Sequence, residues 1–130
     1  GTMGFGLPAA IGATFGAPDR TVCMFCGDGG LQMTMQELAT IMQYHIPVKL
    51  VILKNTVLGL VRQYQHYNYK NRYSVIDLGA LPDLSLIAQA YGIRYLKLEN
   101  SGDTDEKLAA FLEGDESTIL EVTVDREELC

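Results

Sequence analysis

Apolar and polar positions along the chain change period several times, and the changes mark out alternating helices and strands. Residues 3–17 read as a helix in spite of their glycines, with Pro8 where an early helical turn tolerates it. Residues 21–27 are a continuous apolar run that stops at glycine, the pattern of a strand buried in a parallel sheet. Residues 32–45 have helical spacing, with Met35, Leu38, Ile41 and Met42 on one stripe and Pro47 stopping the helix. Residues 48–53 predict a second buried strand, 57–64 a short helix, and the polar, tyrosine-rich stretch 65–74 a loop. Pro82 precedes a helix over 84–91 that Gly92 closes, and a third strand follows at 94–98. Asp103 and Glu106 stand at capping-box spacing before a helix over 107–112, and the β-branched run 118–124 predicts the last strand. Strands alternating with helices require an α/β fold: an open, mainly parallel sheet with helices on both faces.

Composition narrows the class. A length of 130 residues suits one compact domain, and 48% apolar with 20% charged residues fits a soluble globular chain rather than a disordered one. The net charge of −6 runs against the basic surplus of a nucleic-acid binder. No apolar run approaches the roughly 20 residues that cross a bilayer. The N-terminus also lacks the basic-then-apolar pattern of a secretory signal, so the expectation is a cytoplasmic domain without membrane contact. Three cysteines are too few for a disulfide framework. Cys23 and Cys26 spell C-x-x-C, but they fall in a predicted strand, where three residues span about 10 Å and the two side chains face opposite ways. Charge is also uneven: residues 1–75 carry six basic and three acidic side chains, residues 76–130 four and thirteen. The Gly-rich first half therefore suits an anion, while the acidic second half reads equally well as solvated surface. The chain stops at Cys130 with no capping element, which predicts a piece of a larger protein.

The chemistry concentrates at Gly27-Asp28-Gly29-Gly30, where the first strand hands over to the next helix. Open α/β sheets bind their ligands at such strand ends, and glycines there let backbone N–H groups approach phosphate oxygens. Asp28 would repel a bare phosphate, so an acid at this turn points to a cation between the two. Twenty-five residues separate Gly29 from Asn55, which ends the second predicted strand. A parallel strand–helix–strand unit brings both strand ends to one edge. Asp28 and Asn55 then offer two hard oxygens to one Mg²⁺, whose octahedral shell a backbone carbonyl, diphosphate and water complete. Taken singly, the same residues are a turn, a helix cap and a strand-end asparagine; their spacing together favours the metal.

The run from Gly27-Asp28-Gly29 to Asn55 resembles the thiamine diphosphate motif, and the likeness continues beyond it. The segment 1–13 is similar to the one that cups the aminopyrimidine ring in acetolactate (acetohydroxyacid) synthases. Gln36-Glu37-Leu38-Ala39-Thr40-Ile41, Pro47-Val48-Lys49, Leu58-Gly59-Leu60-Val61-Arg62-Gln63, Tyr69 to Tyr73 and Leu86 to Gly92 resemble the catalytic large subunit of that family. The resemblance implies a cofactor-binding set of Gly1, Met3, Gly27, Asp28, Gly29, Gly30, Asn55, Val57, Leu58 and Gly59. Within it, Asp28, the Asn55 side chain and the Val57 carbonyl ligate Mg²⁺, and Gly29 and Gly30 meet the diphosphate. Met3 is the apolar wedge that bends the cofactor, and Gly1 C=O and Met3 N–H bond its pyrimidine ring. Such a bend holds an intramolecular base against the reacting carbon, which turns proton abstraction into an oriented, unimolecular step.

The activity so implied is decarboxylation of pyruvate followed by ligation of the two-carbon hydroxyethyl unit to a second 2-oxo acid. No catalytic residue is expected within the chain itself. The resemblance places the activating glutamate on a pyrimidine-binding domain of a neighbouring subunit, in a homo-oligomer, with FAD on a middle domain in many members and a small regulatory subunit as a further partner. Lys54 departs from the usual asparagine, and Tyr64 stands where biosynthetic members carry tryptophan, a position tied to the choice of second substrate. Gln63 and Tyr64 are therefore candidate substrate contacts. Val61 replaces the glutamate of simple pyruvate decarboxylases, which favours ligation over aldehyde release.

Other readings are weaker. They are another thiamine diphosphate-dependent 2-oxo acid decarboxylase or carboligase, a stand-alone Mg-diphosphate-binding module, and a dinucleotide-binding domain. For the last, no strand precedes Gly4-Phe5-Gly6-Leu7-Pro8-Ala9. His45 and His66 lack zinc-ligand spacing, Glu37 reads as structural, and Arg62, Lys70 and Arg72 read as solvated.

Overall fold

A computed structural model describes residues 1–99 and 101–128. Four strands, β1 (Val22–Gly27), β2 (Val48–Lys54), β3 (Arg94–Leu98) and β4 (Thr118–Thr123), pair in parallel throughout in the order β1-β2-β4-β3. Six helices join them: α1 (Gly6–Gly16), α2 (Asp28–Thr34), α3 (Leu38–Tyr44), α4 (Gly59–Asn68), α5 (Leu84–Ala90) and α6 (Thr104–Leu112). The expected α/β class holds, and helices cover both faces. None is long and apolar enough to cross a membrane among the described residues.

Register explains the two cores. Met24, Leu50 and Ile119 lie side by side across β1, β2 and β4. On that face they meet Leu7, Ala10 and Ile11 of α1, Leu31 of α2, Leu38 and Ile41 of α3, and Leu84 and Ala88 of α5. One residue along, Val51 and Leu120 point to the opposite face, where Phe111 of α6 and Leu96 close a smaller cluster. β2 is apolar on both faces because helices cover both, which is why its sequence runs without alternation.

Several boundaries differ from the expectations. The first helix starts at Gly6 rather than residue 3, because Gly4 has φ +89° and an added Cβ would stand 2.8 Å from Met33 Cβ. The helix expected over 32–45 begins earlier and breaks: α2 opens at Asp28, a 3₁₀ turn covers Met35–Glu37, and α3 follows. Thr34, at φ −138°, is the point of the break. Of the predicted stripe Leu38 and Ile41 are buried, whereas Met42 is exposed. The loop expected from residue 65 is helical up to Asn68, whose side chain donates to Tyr64 O one turn back. The Gln65 side chain then clasps Ser74 through two hydrogen bonds. Gly92 does take the left-handed conformation, φ +63°, that closes α5. Asp103 precedes α6, but its side chain makes no cap bond, so the capping box is not formed. The cap that does form belongs to Asp83, which accepts from Ser85 N at 2.9 Å ahead of α5.

Two basic residues expected or passed over as surface are interior. Arg62 is only 6% exposed; it donates to Glu127 O, pairs with the Glu127 carboxylate and lies over the Tyr73 ring. Lys49 is buried on β2, and its ammonium ties Glu113 O, Glu116 O and Thr118 Oγ1 together beneath the entry to β4. Burial holds the Lys49 amine below its usual range.

Candidate cofactor and metal site

β1 ends at Gly27, and the next residue, Asp28, already opens α2. The carboxylate is thus fixed at the first helical position, buried at 7% exposure. Its Oδ1 accepts from Gly29 N at 2.8 Å, and its Oδ2 accepts from Thr56 N at 2.8 Å. The second bond crosses from the tip of β1 to the tip of β2, so the two strand ends singled out in the sequence are joined directly. Asn55, between Lys54 and Thr56, turns its Oδ1 back to accept from Val57 N at 3.1 Å.

The β2 tip is held from its other side as well. Thr56 has φ +61°, a left-handed conformation that costs a β-branched residue on the order of 1–3 kcal/mol. Bonds on both sides hold it there: Leu78 N donates to Thr56 O at 3.0 Å and Leu58 N to Ile76 O at 2.8 Å. These flank an antiparallel bridge between Val57 and Asp77. In such a bridge the flanking residues carry the hydrogen bonds, so the Val57 carbonyl points away from the partner segment. The expected ligand carbonyl is turned outward.

Above the glycines the walls converge. A Cβ on Gly29 would stand 3.0 Å from Met3 Cε, 3.2 Å from Leu78 Cδ1 and 3.4 Å from Leu58 Cδ2. Met3, Leu58 and Leu78 therefore meet over Gly29. Gly30 lies in the first turn of α2, where N–H groups have no intrahelical acceptor. Gly1 is exposed, Gly27 caps α2, and Gly59 opens α4 directly after Leu58. Gln63 and Tyr64 sit on the first turns of α4; Tyr64 is exposed and leans on Tyr69, with ring centroids 5.8 Å apart. Cys26 lies just before the turn, and burial, with the Asp28 charge adding to it, pushes its thiol up to about 11, so it is inert at neutral pH.

Sequence reasoning did not single out Thr56 or Leu78. Thr56 carries no chemical signal beyond its place after Asn55, and Leu78 reaches the site only through the bridge at Val57.

The family described as "Thiamine pyrophosphate enzyme, C-terminal TPP binding domain" matches residues 1–122. The chain belongs to that family. Among relatives of this TPP-binding domain, the acetolactate synthase large subunit of Lactococcus lactis subsp. lactis is 44% identical over 128 residues, 98% of this chain and 22% of the relative. The acetolactate synthase isozyme 3 large subunit of Escherichia coli K12 is 41% identical over 131 positions, covering 98% of this chain and 23% of the relative. Among solved structures, a thiamine diphosphate-dependent 4-hydroxybenzoylformate decarboxylase of Rhodococcus jostii RHA1 superposes with a TM-score of 0.86 at 32% identity, over 97% of this chain and 24% of that one. The chain thus spans about a fifth of the length of the curated relatives it matches.

Proposed function

We propose that the chain is the cofactor-binding domain of a larger acetolactate-synthase-like enzyme, which decarboxylates pyruvate and joins the two-carbon unit to a second 2-oxo acid. The observation that carries this reading is the bond from Thr56 N to Asp28 Oδ2, which locks the β1 and β2 tips together. The relatives' names supply the reaction, and the joined strand tips support the reading of a cofactor site there.

The residues present fit a magnesium ion shared with a diphosphate. Each Asp28 oxygen accepts one N–H and keeps a further lone pair, as does Asn55 Oδ1. With the outward Val57 carbonyl this makes one charged and two neutral hard oxygens, half of an octahedral shell. No group of three His, Cys, Asp or Glu side chains among the described residues is placed to hold a metal alone. A donor set so light in charge suits an ion that brings its own phosphate ligands. Asp28, Asn55 and Val57 hold the ion in this reading, while the bare backbone at Gly27, Gly29 and Gly30 lets the diphosphate come close. Gly1, Leu58 and Gly59 complete the cofactor-binding set in this reading, with Leu58 and the Met3 thioether methyl both packed over Gly29. When bound, thiamine diphosphate supplies the carbon nucleophile and electron sink that 2-oxo acid decarboxylation needs.

Gln63 and Tyr64 are the substrate contacts in this reading, carried on α4, which begins at Gly59 directly after Leu58. Gln63 Oε1 is buried with no hydrogen-bond partner among the described residues, an acceptor that a ligand donor would satisfy. The pyrimidine-binding domain with its activating glutamate, the homo-oligomer, FAD on a middle domain and a regulatory subunit belong to the same proposal. A second reading, a 2-oxo acid decarboxylase, is favoured by the Rhodococcus likeness. Product analysis separates the two. The full-length protein with pyruvate, Mg²⁺ and thiamine diphosphate should form acetolactate, while the 130-residue chain alone should form none. Acetaldehyde as the main product would move the assignment to a decarboxylase.

A further inference from the structure

Behind Asp28, three side chains on three adjacent strands are joined in a row. Tyr95 of β3 donates its hydroxyl to Glu121 Oε2 of β4 at 3.1 Å, and Lys54, the last residue of β2, donates to Glu121 Oε1 at 3.0 Å. Glu121 is 2% exposed, so its charge depends on these two partners. Burial and the neighbouring carboxylate push the Tyr95 phenol above its usual range, which keeps it a donor. Lys54, Glu121 and Asp28 line one cavity of about 30 Å³ together with Leu31, Ile52 and Leu84, and Lys54 is the only cation in its wall among the described residues. The Lys54 main chain is held too, its carbonyl accepting from Val124 N at 3.1 Å. Asn55 follows directly, and Thr56 after it is kept in its left-handed conformation by bonds to Asp28 and from Leu78, together with its own hydroxyl, which donates to Asn55 O at 2.7 Å.

We propose that Lys54, pinned by Glu121 and Tyr95, is a positioning residue that sets the Mg²⁺ affinity of the β1–β2 tip; this rests on the metal-site reading above. A tip carrying one uncomfortable backbone conformation needs an anchor on each side. The bridge at Val57 and Asp77 supplies one, and the row from Tyr95 through Glu121 to Lys54 supplies the other. Metal ligands must be held within about 0.5 Å of their working geometry, and loss of the groups that orient them typically lowers affinity about 10- to 100-fold.

Thiamine diphosphate binding to the full-length, cofactor-free protein, titrated with Mg²⁺ by calorimetry, tests this. Lys54→Met strands a buried carboxylate and is expected to lose stability as well as Mg²⁺ affinity. The neutral double variant Lys54→Met/Glu121→Gln has no unpaired charge, so its denaturation midpoint should return towards that of the parent. Its half-saturating Mg²⁺ concentration should nevertheless stay raised by about 10-fold or more. Lys54→Arg, which keeps a cationic donor within reach, should remain within about 3-fold of the parent, well short of the loss expected when an orienting group goes. A double variant with the parent's Mg²⁺ requirement, or an Arg variant as impaired as Met, would overturn the proposal. Asp28→Asn, run alongside, separates the two levels. If it abolishes Mg²⁺ dependence while the double variant binds normally, the positioning role alone is wrong; if it leaves Mg²⁺ dependence intact, the metal-site reading falls and the positioning role with it.

Discussion

Asp28→Asn is expected to weaken Mg²⁺-supported thiamine diphosphate binding by at least about 100-fold, the upper end of what loss of a mere orienting group costs a metal site. The substitution keeps shape and removes one negative charge. It removes one of the two acceptor oxygens at position 28 as well, and both are engaged from opposite sides, by Gly29 N and Thr56 N. An asparagine must turn its NH₂ towards one of these donors. Two donors then face each other in a buried setting, at a cost of about 1–3 kcal/mol. The bond to Thr56 ties the two strand tips together beyond their last ladder pair, so the variant loosens the tip that carries Asn55 and, on the proposed site, also loses the one charged ligand. Calorimetry with and without Mg²⁺, beside a urea denaturation of the cofactor-free protein, reads the two effects separately. Binding that stays within a few-fold of the parent would mean that Asp28 does not hold the ion.

Gly4→Ala is expected to destabilise the fold by about 2–4 kcal/mol, combining a left-handed backbone penalty with overpacking. Gly4 has φ +89°, and the added methyl would lie 2.8 Å from Met33 Cβ and 3.2 Å from Thr34 Cγ2. Rotation of the Met33 side chain gives no relief, because the crowded atom is attached to the backbone. The docking of residues 1–5 on α2 also depends on Thr34 Oγ1 donating to Gly4 O at 2.9 Å. When that segment lifts, Met3 leaves its place over Gly29. The denaturant midpoint should therefore fall, and amides of residues 2–5 should exchange faster. An unchanged midpoint with unchanged exchange would show that the segment docks in another way.

The β3 strand was legible residue for residue, because Gly92 ends the helix before it and Tyr95, Leu96 and Leu98 are interspersed with Arg94 and Lys97 along it. The meeting of the β1 and β2 ends was legible for a simpler reason: in a parallel strand–helix–strand unit, the topology alone carries both ends to one edge. What stayed hidden depends on contacts distant in sequence. The break at Thr34 falls in a stretch of unbroken helical periodicity, and the apolar stripe gives no sign of it. Arg62 looks like any surface arginine until Glu127, sixty-five residues later, comes to sit on it. Thr56 and Leu78 join the site through a backbone bridge that leaves no trace in composition. The Lys54–Glu121 pair is similarly silent, since Lys54 alone reads as an ordinary strand-end charge and nothing in the sequence joins it to Glu121 in the middle of β4. The capping box at Asp103 shows the converse: a correct motif spelling in front of a helix, with no cap bond from the Asp103 side chain.

Diffraction from the full-length protein crystallised with Mn²⁺ and thiamine diphosphate, recorded for anomalous signal, addresses the metal site most directly. One strong peak is predicted at about 2.0–2.3 Å, the range of hard-cation–oxygen bonds, from both an Asp28 carboxylate oxygen and Asn55 Oδ1, with the Val57 carbonyl completing the protein's share. A peak bound by only one of the two side chains, or cofactor density with its metal elsewhere, would contradict the joint grip of the two strand tips on one ion.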